Sequence, residues 1–451
     1  SSAGSFTLNV VSHDAAGNVS PAATLTIAYS PVQVYWVSKS GNDINGCTAS
    51  STPLTTAAKL TINAGVGCLS LGGTLNIRAG TYAETMNVSA LVGGTSGNPT
   101  TIQGFTGESV TITGANASSR AITGLSSTGV NWLTFQNLKL DGGGTHDNNI
   151  QAINDPEGMT GLTLRNVEIT GWKYNGIILG NNTSATIDNC NIHDQISVDI
   201  SRWYGAYVSS TTNLVIKNST FSGNPGGGIQ VYPGPNVNTQ IYNNRIFGNN
   251  TMATSAVGGV LIGGPALVYN NLVYNNGEAG GEAGITLSAF GETGSNSRIY
   301  NNTVTGNTGI GINIENGANS AIVENNIAWG NGSTSIVNSG TGNTIDHNYC
   351  NSGCTGTGTV NNIASPFISS ILKDFHLISG STAINAGATL GSPYNVDIAN
   401  VSRPQGTAYD IGAYEFIPTV PPVVTIVNPT ANATIGVSQP LFSLGGTSNL
   451  P

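Results

Sequence analysis

The sequence is poor in charge. Of its 451 residues only 13 are basic and 22 acidic, about a third of the share usual in a soluble domain. Scarce cations and a formal net charge of -9 exclude a nucleic-acid partner, because no basic surface exists to displace counterions from phosphate. The same balance repels a polyanionic glycan unless a metal or a local basic patch intervenes. No run approaches the roughly 18 apolar residues that a helical bilayer span needs, so no membrane span is expected. Cysteine is also scarce, at five. Cys47 with Cys68, and Cys350 with Cys354, are two pairs that can each close a disulfide, which suits an exported chain, although sequence alone leaves the connectivity open. Zinc at Cys350 and Cys354 needs two further ligands, and only His347 is near in sequence. Cys190 is left over.

Glycine (61 residues), with Asn, Ser and Thr, supplies the polarity that charge does not, and 38% of residues are hydrophobic. That is enough apolar material to exclude disorder and to fill the core of two or three domains or of one elongated repeat domain. Three segments are expected. Residues 1–30 contain two alternating stretches around an Asp-x-x-Gly-Asn turn and resemble the last hairpin of a bacterial immunoglobulin-like module. Residues 418–451 begin with a Pro-rich linker and resemble the first two strands of another such module. The chain is therefore expected to come from a larger multidomain exported protein, secreted or at the cell surface, and to be monomeric within it.

Residues 31–417 hold a repeat. An apolar-x-Asn pattern recurs at Phe135-Gln-Asn137, Leu164-Arg-Asn166, Ile187-Asp-Asn189, Ile216-Lys-Asn218, Ile241-Tyr-Asn243, Val268-Tyr-Asn270, Ile299-Tyr-Asn301 and Val323-Glu-Asn325, with Ile345-Asp-His347 as a variant last member. Eight steps span 210 residues, a mean period near 26. Each unit holds a second strand opened by glycine, at Gly176, Gly205, Gly228, Gly259, Gly284 and Gly311. Strands this short cannot close a core alone but can when stacked, so the fold class is all-β, a parallel β-helix of coils about 4.8 Å apart. Asparagine suits a tight bend because it tolerates a left-handed backbone and can bond its counterparts above and below, so the Asn column is assigned to the scaffold. Cys190, where other coils carry Ser or Asn, is expected to be a packed thiol. Residues 54–64 have helical composition and are expected to cap the first coil. Residues 374–387 and 403–416 are expected to close the other end.

YWVSKSGNDINGC, TLNIRAGTYAE, the Asn-ladder coils and DFHLISGSTAINAG with DIGAYEF resemble the secreted right-handed parallel β-helix proteins of the pectate-lyase-like superfamily. The resemblance covers about residues 33–416. It implies the fold, but not the reaction, since the superfamily includes lyases, glycoside hydrolases, epimerases, tailspikes and adhesins. The polygalacturonase set of Asn-Thr-Asp, paired Asp, Gly-His-Gly and Arg-Ile-Lys is absent, as is the epimerase Tyr-Gly-Phe-Asp-Pro-His motif.

With the strand-opening glycines as register marks, Lys173 and Arg202 both lie three residues before the mark, and Tyr174 and Trp203 share the next rung. Trp172, Tyr204, Tyr207, Gln230 and Tyr232 extend this face, and His193 is added from the neighbouring insertion. Aromatic faces bind the CH faces of sugars, and two adjacent cations in so uncharged a chain need something anionic between them. This reads as a polysaccharide groove. For β-elimination, Lys173 is the expected base and Arg202 the carboxylate clamp, or the reverse. Asp147, Asp155, Glu157, Asp194 and Asp199, near His146 and His193, are the expected donors for Ca²⁺, which the resembling lyases use to neutralise the uronate. Glu278 and Glu282 form a second, weaker calcium candidate. The competing readings are a non-catalytic structural or glycan-binding module, in which Lys173 and Arg202 merely pair with Asp199, Asp194 or Glu168, and a glycoside hydrolase using two of these acids.

Overall fold

The computed structural model describes residues 4–29, 33–127, 129–148, 150–196, 203–252, 257–277, 281–289 and 293–418. One compact unit runs from Ser1 to Phe416. The expected module fragment at 418–451 lies, except for its first residue, outside the described residues. Near the N-terminus, Gly4–Val10 and Ala23–Tyr29 pair antiparallel, Val10 opposite Ala23. The Asp14 carboxylate closes the turn by accepting the Ala16 and Asn18 amides at 2.9 Å.

The remainder is a parallel β-helix with three strand columns. The first column includes Thr186–Asp188, Val215–Lys217 and Thr239–Tyr242, each residue in parallel register with its counterpart one coil on. The second includes Asn191–His193, Thr220–Ser222 and Arg245–Phe247. In two early coils both columns belong to one bent strand, Leu133–Asp141 and Thr163–Thr170. The third column is a ten-stranded sheet from Met86–Asn87 to Ile336–Asn338. The inward residues of all three, such as Ile187, Ile192 and Ile177, fall in one buried cluster running the length of the helix. Stacked rings such as Tyr242 on Tyr269 have centroids 4.8 Å apart, the inter-strand spacing itself.

The recurrent asparagine turns the corner between the first and second columns. From Asn137 (φ 55°) to Asn325 (φ 59°) and His347 (φ 48°) every member of the column is left-handed. The structure divides the task assigned to this asparagine between two positions. In the early coils the left-handed side chain is exposed and bonds its neighbour, as Asn166 does by donating to Asn137 Oδ1 at 3.1 Å. The continuous buried ladder stands one residue later, at Ser219, Asn244, Asn271, Asn302, Asn326 and Asn348. A second ladder, the buried Asn224, Asn249, Asn276 and Asn307 ending at the half-buried Asn331, follows the second column. Asn276 shows the chemistry: its Nδ2 donates to Asn307 Oδ1 and to Ile246 O, both at 2.9 Å, while its Oδ1 accepts both the backbone amide and the Nδ2 of Asn249. A fully buried amide is thereby satisfied on every side.

The caps differ from expectation. Residues 54–61 are bends and turns with one parallel bridge, Lys59 to Val37, and the helix is confined to Ile62–Val66. Its unpaired amide end is held by two acids from elsewhere: Asp43 accepts the Thr61 amide (2.9 Å), and Glu84 accepts that of Ile62 (2.9 Å). The C-terminal segments pack along the flank of the last coils. Phe375, Ile411 and Tyr414 cover the outward Leu272, Tyr274 and Ile327 of the second column. Asn325 is clamped by Ala388, donating to its carbonyl and accepting its amide at 2.8 Å. Under this flap Arg403 is fully buried against Glu415 (3.0 Å), and burial raises the Glu415 and Asp410 carboxyls above their usual range. Both candidate cysteine pairs are disulfides, Cys47–Cys68 and Cys350–Cys354, so the latter pair is not a thiolate metal site. Among the described residues no helix is long and apolar enough to cross a membrane.

Two stability outcomes are expected. Replacing Asn276 by Ala orphans groups on two adjacent coils and should cost about 2–4 kcal/mol in denaturant unfolding, whereas Asn166→Ala, on the exposed row, should cost under about 1 kcal/mol. Replacing Arg403 by Met leaves buried carboxylates unmatched and should destabilise by about 3–5 kcal/mol.

Candidate functional site

The outer face of the third column carries the residues that the repeat register brings together. Ile178, Tyr207, Gln230, Leu261 and Thr286 stand one above another in parallel register. Just before this row, Tyr174 and Trp203 are in ring contact, centroids 4.1 Å apart. Tyr204 stacks on Tyr207 at 5.9 Å, and Tyr204, Val257 and Leu261 form a small apolar cluster against which Tyr207 and Tyr232 pack. Burial, with Tyr174 and Tyr232 nearby, pushes the Tyr207 phenol up, so its hydroxyl stays a donor at neutral pH. Gln230 is buried and donates to Tyr232 O at 3.3 Å. Trp203 and Tyr204, expected to line this face, are buried beneath it, so the partly exposed aromatic surface consists of Tyr174, Tyr207 and Tyr232.

Lys173 is half-buried beside this surface and has no carboxylate in ion-pair reach among the described residues. Two of the three acids considered as its partners, Glu168 and Asp194, are engaged elsewhere. Glu168 takes Lys139 (3.1 Å) and His193 (3.5 Å), and Asp194 takes His193 (2.8 Å). Arg202 and Asp199 lie outside the described residues, as does Glu278.

Other expected members stand apart. Trp172 is fully buried: it lies in the core, donates to Leu140 O at 3.0 Å and packs on the His146 ring at 4.4 Å, so it lines no surface. Counting back from the strand-opening Gly176, which placed it on this face, misses the turn between the second and third columns. His193 belongs to the outer face of the second column, since Thr170 and Ser222 are its register partners. Of the acids, Asp155 is buried and accepts from Ser126 at 2.5 Å, with its carboxyl raised chiefly by burial. Asp147 is exposed and accepts from Ser118, and Glu157 is exposed on a turn. Glu282 accepts from Asn250 at 2.8 Å. Among the described residues no three His, Cys, Asp or Glu side chains gather into a metal site; Asp199, the fifth expected calcium donor, lies outside them. Cys190 is buried in the core, with its thiol pushed up to about 12 by burial.

Sequence reasoning overlooked the charged row on the second column: Lys139 between Asp141 (3.2 Å) and Glu168 (3.1 Å), running on to His193 and Asp194. Counting two and four residues beyond each left-handed Asn finds it, because those positions alternate outward: Lys139, Asp141, Glu168 and His193.

A family model described as "Right handed beta helix region" matches residues 196–350. No curated protein matches the chain in sequence. Among solved structures, pectate lyase Pel9A is similar over 86% of this chain and 97% of its own, with TM-score 0.55 and 16% identity. XylC in complex with xylose is similar over 84% and 98%, with TM-score 0.54 and 11% identity. The GH136 lacto-N-biosidase of Eubacterium ramulus is similar over 72% and 65%, with TM-score 0.51 and 13% identity. At these identities the likeness is one of fold: a right-handed parallel β-helix.

Because only the thiolate reacts and Cys190 is both sealed in and raised, an aromatic disulfide reagent should leave it untouched in the native protein and modify it at denaturing urea concentrations. Fast native-state reaction would contradict the packing described.

Proposed function

We propose that the chain is an exported, carbohydrate-active β-helix that binds an acidic polysaccharide along the outer face of the third column and cleaves it by β-elimination. The observation that carries this reading is Lys173: a half-buried ammonium without a carboxylate partner among the described residues, beside the Tyr174–Trp203 pair. In a chain with 13 cations, a lysine without a carboxylate partner among the described residues, next to the tilted Tyr174–Trp203 ring pair, is suited to a ligand carrying both a sugar CH face and negative charge. Tyr207, Gln230 and Tyr232 continue the surface toward later coils, as a chain-like ligand requires.

In the proposed step Lys173 acts as the base and takes the proton α to the uronate carboxylate. The electron pair forms the C4=C5 double bond, and the C4–O bond breaks, its oxygen leaving with a proton from solvent. Arg202, three residues before its strand-opening glycine as Lys173 is, is assigned to hold the carboxylate. Hydrolysis is less well supported among the candidate acids. Asp155 is buried at the end of a third-column strand, and Asp194 belongs with His193 on the second, so they do not flank one bond. The two disulfides support an oxidising compartment, and the Gly4–Tyr29 hairpin supports an adjoining immunoglobulin-like module in a larger exported protein.

Screening pectate, alginate and glycosaminoglycans for the ultraviolet absorbance of the unsaturated product, with calcium and with chelator, is the test. One substrate should give a rise that is lost at least about a hundredfold in Lys173→Ala, with Tyr174→Ala raising KM more than it lowers kcat. No rise with any polyuronate, together with retained binding, would instead establish a non-catalytic glycan-binding module.

A further inference from the structure

The early coils carry a second concavity, on the outer face of the second column and away from the aromatic surface. It is a cleft of about 550 Å³ whose lining includes Thr81, Thr111, Thr113, Asn116, Lys139 and Asp141. A shallower depression of about 290 Å³ continues from it, sharing Thr111 and Lys139 and reaching Glu168. Together they make a groove across neighbouring coils.

Its polar groups are specific in kind. Lys139 Nζ lies 3.2 Å from Asp141 and 3.1 Å from Glu168. The ammonium therefore occupies the place between two carboxylates that a bound cation would take, and the carboxylates cancel the attraction it would have for an anion. What remains is one ammonium hydrogen, carboxylate lone pairs, three threonine hydroxyls and an amide: closely spaced donors and acceptors in which two carboxylates outweigh one ammonium, so that a polyanion is disfavoured. The far wall is built by the loop after Asp141, whose Oδ1 accepts the Gly143 amide at 2.8 Å.

That wall holds an unpartnered group. His146 is 4% exposed and lines the cleft. Its Nδ1 sits 2.9 Å from Gly142 O, and since a carbonyl only accepts, Nδ1 carries the hydrogen. With Nδ1 as the donor, the lone pair of Nε2 is left as the acceptor, and it has no hydrogen-bond partner. The ring is fixed against Trp172, so it cannot turn to find one. Gly114, left-handed at φ +81°, keeps this atom at the cleft wall, because a Cβ there would stand 3.0 Å from Nε2. A ligand hydroxyl is the donor that this arrangement lacks.

We propose that this groove is a separate binding site for an uncharged saccharide, with Asp141 and His146 Nε2 accepting from ligand hydroxyls, the free hydrogen of Lys139 donating, and the threonine methyls contacting the ring. The proposal does not depend on elimination at Lys173. It makes the protein bivalent for glycan, with a neutral subsite on one flank and the acidic-chain surface on another.

The test is calorimetric or NMR titration of the full chain with neutral xylo-, galacto-, manno- and cello-oligosaccharides, and with polygalacturonate as the charged comparison. At least one neutral oligosaccharide should bind with a Kd in the millimolar range or tighter, nearly independent of salt. Thr111→Trp, an outward strand position that accepts an aromatic residue, should abolish that binding by filling the groove. Asp141→Asn, which leaves size and fold alone, should weaken it about tenfold, and Tyr174→Ala should leave it unchanged. The proposal is overturned if no neutral oligosaccharide binds, if binding survives both Thr111→Trp and Asp141→Asn, or if Tyr174→Ala removes it. Loss of elimination in Lys173→Ala with neutral binding intact would keep the two sites distinct.

Discussion

Coil-to-coil register is the constraint on which everything else in this molecule depends. A short strand in a 26-residue coil makes too few contacts to fix its own position, and a slip by one residue would exchange the buried and exposed faces of every column. The asparagine ladders remove that freedom. Each buried amide is satisfied only when its counterpart stands directly above or below, as between Asn249, Asn276 and Asn307, so a slipped coil would strand buried polar groups on two neighbours at once. The hydrophobic interior supplies most of the driving force, while the ladders determine which stacking is reached.

Function follows from the same repetition. A register that holds Ile187 and Ile192 inward also lines up whatever points outward, so one unusual residue per coil becomes a row. On the third column such rows yield the aromatic surface of Tyr174, Tyr207 and Tyr232, with Trp203 buried beneath it. On the second they yield the chain of charges from Asp141 through Lys139 and Glu168 to His193. In later coils the outward row of the second column turns apolar, at Leu272 and Tyr274, and is covered by the C-terminal flap. The early part of that face remains open for the groove.

Much of this was legible in the sequence because it is periodic. The apolar-x-Asn pattern located the left-handed corner in every coil, and the strand-opening glycines placed Tyr174 beside Trp203. What escaped lay between the periodic elements. Trp172 sits in the turn joining the second and third columns, where strand alternation does not apply, and it points into the core. The charged row was missed because alternation was counted from the glycines and not from the left-handed asparagines, although the second mark was equally available. The buried amide ladder was displaced by one position for a related reason: the conspicuous Asn is required by backbone conformation, and the stacked one follows it. The flank-covering arrangement of residues 374–416 depends on contacts more than a hundred residues apart, such as Arg245 with the Tyr414 hydroxyl, which no local pattern encodes.

The central claim, that the outer face of the third column is where an acidic glycan lies, is tested most directly by a crystal structure of the Lys173→Ala protein soaked with the uronate oligosaccharide that it binds best. The account predicts sugar density along Tyr174, Tyr207 and Tyr232, with a carboxylate directed toward position 173. Density for that acidic oligosaccharide in the Lys139 groove, or on any face other than this one, would contradict it.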